Sequence, residues 1–195
     1  MSAPSATPPM RPSRRGSDRA RAASLLPIVD ERLLAMLAAD DIALAFQPQI
    51  KVATGVVVGV EALARAPDGI APDALFARAA AASLGERLSR SVQHKALQAA
   101  GRWTGPLRDL RLSLNLLPED LARPGYERWL LDEIAAAGLK PERITAEITE
   151  SSLIADPVAA AARLACLRAA FSRRPSTFLE VLCRCGAVQP GGRER

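Results

Sequence analysis

Apolar and polar residues alternate with period two in three short stretches of this chain, and between them the period lengthens to that of a helix. In residues 110–116, Leu110, Leu112, Leu114 and Leu116 share one face while Arg111, Ser113 and Asn115 take the other. In 144–150, Ile144, Ala146 and Ile148 oppose Thr145, Glu147 and Thr149, and in 57–65 Gly59, Glu61 and Arg65 fall together. Side chains two residues apart on a strand point the same way, so each stretch reads as a strand with an apolar back and a polar front. A helical segment follows each one. That alternation predicts parallel β/α units, and it suits a barrel whose interior holds a charged site.

The remaining pattern fills in the order of elements. Ile28, Leu33, Leu34 and Leu37 make the apolar side of a helix over 27–39. Residues 42–52 and 56–63 read as a hairpin around Ala53-Thr54-Gly55, and Pro48, which cannot donate to a ladder, places the first of these strands at an edge. Helices are predicted over 72–82 and 86–103. Another follows Pro124-Gly125 and ends at Gly138, and a last one runs from Asp156-Pro157 to about 170. The acidic pair Asp40-Asp41 is expected to end the first helix, and His94, in mid-helix, is expected to be a surface or packing residue.

Composition divides the chain into three parts. Residues 1–24, rich in Ser, Pro, Ala and Arg, are expected to be a disordered basic leader, and 25–170 one domain. Residues 171–195 lack a clear amphipathic period beyond one possible short strand at 178–182, and are expected to be a disordered tail. The net charge of +5 does not imply a nucleic-acid partner, because residues 25–170 hold 16 basic against 18 acidic residues and the excess lies in the two ends. No apolar run approaches the length of a membrane span. The three cysteines, Cys166, Cys183 and Cys185, form neither a zinc pattern nor a disulfide framework and read as free thiols in a reducing compartment. A cytoplasmic protein is expected, with no nucleic acid and no membrane among its partners.

Four segments in order then carry a resemblance: Phe46-Gln47-Pro48, Glu61-Ala62-Leu63-Ala64-Arg65, Leu114-Asn115 ahead of Pro118, and Glu147-Ile148-Thr149-Glu150-Ser151. This series, between about residues 42 and 170, resembles the EAL domain family of bacterial phosphodiesterases, which hydrolyse cyclic di-GMP to the linear dinucleotide. The resemblance implies an α/β fold, a partial (β/α) barrel forming the first half of an EAL-type TIM barrel. It implies Glu61, Asn115 and Glu147 as ligands of Mg²⁺ or Mn²⁺, hard cations that prefer oxygen donors. Gln47 and Arg65 would bind cyclic di-GMP, and Glu150 would steady a loop at the metal site. Taken without the resemblance, the same residues allow plainer readings: a lumenal Glu61–Arg65 ion pair, a buried turn at Asn115, and a solvated strand end at Glu147 and Glu150.

The departures bear equally on function. The family continues after the fourth helix into an Asp-Asp-Phe-Gly-Thr-Gly strand and later a lysine, a catalytic glutamate and a glutamine. This sequence has Phe171-Ser172-Arg173-Arg174-Pro175-Ser176-Thr177 there, no acidic doublet after Asp156, and Lys140 as its last lysine. An out-of-frame reading of GC-rich coding DNA would give such an Arg/Pro/Cys/Gly segment. The expectation is an EAL chain without its second-half motifs and inactive as written, with the metals not fully bound. The alternative is a degenerate module that binds cyclic di-GMP or a partner protein without turnover. A barrel stopped after its fourth unit would leave strand 144–149 unpaired, its lumenal charges facing water, and its open edges prone to self-association.

Overall fold

The computed structural model describes residues 29–149, 162, 165–167, 169 and 180–184. Its elements are α1 (Glu31–Ala38), β1 (Ala43–Lys51), β2 (Val56–Arg65), α2 (Pro72–Ala81), α3 (Gly85–Gly101), β3 (Arg111–Leu116), α4 (Pro118–Ala122), α5 (Tyr126–Ala136), β4 (Ile144–Thr149) and β5 (Glu180–Arg184). The strands form one sheet in sequence order; β1 pairs antiparallel with β2, and every later pair is parallel. The result is a (β/α) half-barrel closed on neither side among the described residues.

The period-two reading decides which face is buried against helices. Val60, Ala62, Leu112, Leu114, Leu116, Ile144, Ala146 and Ile148 form the apolar back of the sheet, packed against Ala96, Leu97 and Ala100 of α3 and Leu130 and Ile134 of α5. A second cluster, with Leu33, Leu37, Ile42, Leu75 and Leu88, seals the start of the sheet under α1 to α3. Each fully buried Leu or Ile contributes about 1.5–3 kcal/mol, so these faces dominate the stability of the described fold.

Local chemistry sets several boundaries. The hairpin turns where the N–H groups of Thr54 and Gly55 both donate to the Lys51 carbonyl (3.0 and 2.9 Å), with Gly55 at φ +67°. That backbone conformation suits glycine. The expected first helix over 27–39 starts later, at Glu31, because the Asp30 carboxylate accepts the Leu33 N–H (2.9 Å) and so takes the N-cap; Val29 is not helical, and 27–28 lie outside the described residues. At its other end Asp40 adopts φ +58°, and Lys95 Nζ ties its carbonyl (2.6 Å) and that of Ile42 (2.7 Å) to α3. His94 is exposed, 2.6 Å from Glu133. Pro48 lies on the outer strand β1, opposite Val60, as its missing N–H requires.

Three expectations need correction. The strand at 144–149 is not unpaired: β5 lies parallel to it, from Thr145↔Glu180 to Thr149↔Arg184. The strand expected at 178–182 thus lies two residues further on, in Glu-Val-Leu-Cys-Arg, whose register completes the hydrogen-bonding of β4. Nor do the lumenal carboxylates face water, since Glu61 and Glu147 are 2% and 3% exposed. Each accepts a hydrogen bond from a neighbouring amide, Glu61 from Asn115 and Glu147 from Gln49. Helix α4 was not foreseen; it starts with proline at its first position, and the Asp120 carboxylate accepts the Leu117 N–H at 3.1 Å. Of the last predicted helix, Ala162, Ala165, Cys166, Leu167 and Ala169 are helical, and Leu167 enters the main core. Among the described residues no helix is long and apolar enough to cross a membrane.

Candidate functional site

The polar front of the sheet gathers one layer of side chains from four strands. Register fixes who meets whom: Gln47 lies opposite Glu61, Gln49 opposite Gly59, Glu61 beside Ser113, and Asn115 beside Glu147. The predicted set Glu61, Asn115 and Glu147 therefore stands on three consecutive strands, β2, β3 and β4. Asn115 Nδ2 donates to Glu61 Oε1 at 2.9 Å. Glu147 Oε1 accepts from Gln49 Nε2 at 2.6 Å, and Gln49 Oε1 in turn accepts from the buried Ser113 hydroxyl at 3.1 Å. Arg111, half-buried, flanks this layer at the level of Gly59.

Of the other predicted residues, Gln47 borders this layer and Arg65 stands apart from it. Gln47 is exposed, on the same hairpin level as Glu61. Arg65 is exposed too, four residues past Glu61 on β2, or about 13 Å along the strand. Its Nη1 donates to the neighbouring Ala64 carbonyl (2.9 Å). Glu150 lies outside the described residues.

Behind Asn115 runs a buried polar network that sequence reading did not find. Gln93 of α3 donates to the Asn115 carbonyl (3.2 Å), to Ser89 Oγ (3.0 Å) and to Asp120 Oδ2 (3.2 Å), and accepts from the Tyr126 hydroxyl (3.0 Å). Ser89 donates to the same Asp120 oxygen at 2.5 Å. Burial pushes the Asp120 carboxyl up, against its hydrogen bonds from Ser89 and the Leu117 N–H, and burial raises the Tyr126 hydroxyl as well. Arg123 stacks on the Tyr126 and Trp129 rings and pairs with Glu86 (2.8 Å), closing the far side. Only the polar residue types at apolar helix positions, Ser89 and Gln93, signalled this network.

Two carboxylates and a primary amide make an all-oxygen donor set, the chemistry of a Mg²⁺ or Mn²⁺ site. The Asn115 amide nitrogen donates to Glu61, which leaves its oxygen as the group's acceptor. Among the described residues no group of three His, Cys, Asp or Glu could hold a metal.

The EAL domain family model matches residues 30–170. The chain is 32% identical, over 121 residues, to the probable cyclic di-GMP phosphodiesterase PdeB of Escherichia coli K12, covering 60% of this chain and 23% of that protein. Among solved structures it resembles the Klebsiella pneumoniae BlrP1 manganese/cyclic di-GMP complex, with TM-score 0.58 and 33% identity over 67% of this chain and 33% of that one. It also resembles the PaMucR phosphodiesterase in complex with cyclic di-GMP, with TM-score 0.64 and 26% identity over 71% and 60% of the two chains. It thus spans less than a quarter of the curated relative and a third of BlrP1. With the ordered motifs, the half-barrel and the match over 30–170 in agreement, the chain belongs to the EAL domain family, and its fold is the first half of that family's TIM barrel.

Proposed function

We propose that this chain is a cyclic di-GMP signalling module of phosphodiesterase ancestry, and that the 195-residue polypeptide by itself does not hydrolyse the dinucleotide. The observation that carries the first half is the contiguity of Glu61, Asn115 and Glu147 on neighbouring strands, with Asn115 bonded to Glu61. In this reading those three residues hold one side of a Mg²⁺ or Mn²⁺ site. The metal, when bound, neutralises phosphate charge and activates water. Arg65 forks onto a phosphate through its guanidinium, Gln47 lies along the nucleotide, and Glu150 steadies the loop after β4.

The second half rests on the donor inventory. From Pro157 to Arg195 the sequence holds two carboxylates, Glu180 and Glu194, and no lysine. One side of a two-metal site leaves the attacking water without dedicated groups, and loss of such groups removes most of the rate. A barrel-mouth ligand also draws on loops from many strands, so nucleotide binding is weak. The setting proposed is cytoplasmic, with self-association through the outer strands β1 and β5.

Incubating the purified chain with cyclic di-GMP and Mn²⁺ tests this, with the linear product followed by chromatography. No product is expected. Turnover that disappears in Glu61→Ala would overturn the inactive reading. Tight, saturable one-site binding without turnover would favour the non-catalytic binding module instead.

A further inference from the structure

Gln49 comes from the outer strand β1, yet its side chain passes β2 and meets side chains of both β3 and β4. It can do so because it is paired with Gly59, the one position on β2 at this level with no side chain in the way. A Cβ on Gly59 would stand 3.1 Å from Gln49 Oε1 and 3.0 Å from the Arg111 carbonyl. Through this gap the amide meets Ser113 of β3 and Glu147 of β4.

The two contacts fix the amide's orientation. Ser113 is fully buried and its hydroxyl donates to Oε1, which turns Nε2 toward Glu147. Glu147 then receives a short, charge-assisted bond at 2.6 Å. A residue that only filled the lumen would need no such polarity, and burying a carboxylate without donors is costly. Carboxylates that ligate metals are commonly held from behind in this way, and loss of the holding group lowers metal affinity about 10–100-fold.

We propose that Gln49, oriented by Ser113, is a positioning residue that aims the Glu147 carboxylate at a divalent cation. This rests on the reading of Glu61, Asn115 and Glu147 as the donor set. Gln49 touches neither metal nor substrate; it acts through Glu147.

Mn²⁺ titration of the full chain tests it, with free Mn²⁺ read by electron paramagnetic resonance and the melting temperature of each metal-free variant recorded. The variants are Gln49→Leu, Gln49→Asn, Ser113→Ala and Glu147→Gln. Gln49→Asn keeps the amide but withdraws it by one methylene, and it serves if the leucine variant fails to fold. Expected are Mn²⁺ binding by the wild type that Glu147→Gln abolishes, a loss of about 10–100-fold in both Gln49 variants, and a smaller loss in Ser113→Ala. Wild-type affinity in the folded Gln49 variants, with Glu147→Gln still abolishing binding, overturns the role of Gln49 and leaves the metal reading intact. Absence of saturable binding to the wild type, or binding that Glu147→Gln leaves unchanged, overturns both.

Discussion

Asn115 is held from both sides of the sheet: its side chain donates to Glu61 at 2.9 Å in the lumen, and its carbonyl accepts from Gln93 of α3 at 3.2 Å behind the strand. Asn115 is the fifth residue of the six-residue strand β3. Here the lumenal layer and the helix layer meet at one residue, so the packing of α3, α4 and α5 bears directly on the candidate donor set.

The network behind Asn115 should reveal itself through pH. Burial raises the Asp120 carboxyl above its unfolded value of 3.8. A raised carboxyl contributes stability that is fully present below the unfolded value and is lost as pH rises through the folded one. Asp120→Asn keeps an acceptor for Ser89 but does not titrate. The melting temperature of this variant relative to wild type should therefore rise as pH is taken upward from about 4. A difference that stays flat from pH 4 to 8 would show that Asp120 carries no ionisation cost in the fold.

The opposite sign holds at the start of α1. The Arg78 guanidinium pairs with Asp30 (Nη2–Oδ1 2.7 Å) and the Leu33 N–H donates to it, and these bonds lower its carboxyl from 3.8 to about 2. A depressed carboxyl stabilises above its unfolded value and ceases to do so as pH falls through the folded one. Asp30→Ala should melt below wild type at neutral pH, and the gap should narrow between pH 3.8 and about 2. An unchanged gap at pH 2 would assign the effect to something other than the ionised cap.

Gly101 sets two ordinary rules against each other. Alanine in a helix is favoured over glycine by about 0.5–1 kcal/mol. At Gly101, however, a Cβ would fall 2.3 Å from the Ala137 carbonyl, where the last turn of α3 meets the end of α5. Overpacking against backbone costs about 1–3 kcal/mol, so Gly101→Ala should lower the unfolding free energy in urea by about that range. A stabilised variant would mean the two helices do not approach so closely.

Much of this was legible in the amino-acid order because a sheet with one apolar face writes period two into the sequence. Arg111–Leu116 and Ile144–Thr149 lie where alternation put them, within a residue, and Glu61, Asn115 and Glu147 stand on consecutive strands. Gln49 was missed because its role depends on a pairing partner with no side chain, which is a matter of register. Asp120 was missed because nothing in Pro118-Glu119-Asp120 distinguishes a buried carboxylate from a solvated one. Burial of the lumenal acids depends on which side chains fold over them, and β5 on which strand lies next to it; neither is periodic.

The hairpin also sorts changes in chain length into harmless and harmful ones. Beyond Gln49↔Gly59 the register slips, with Ile50 facing Val57, so Val58 is already a surplus residue accommodated as a bulge. Residues gained or lost in the Ala53-Thr54-Gly55 turn fall on the outer side of that bulge and leave the polar layer untouched. One residue inserted between Gln47 and Gln49 would reverse the facing of one of them, because strand side chains alternate sides. Homologous chains should therefore vary freely in hairpin tip length while keeping a fixed count between the two glutamines.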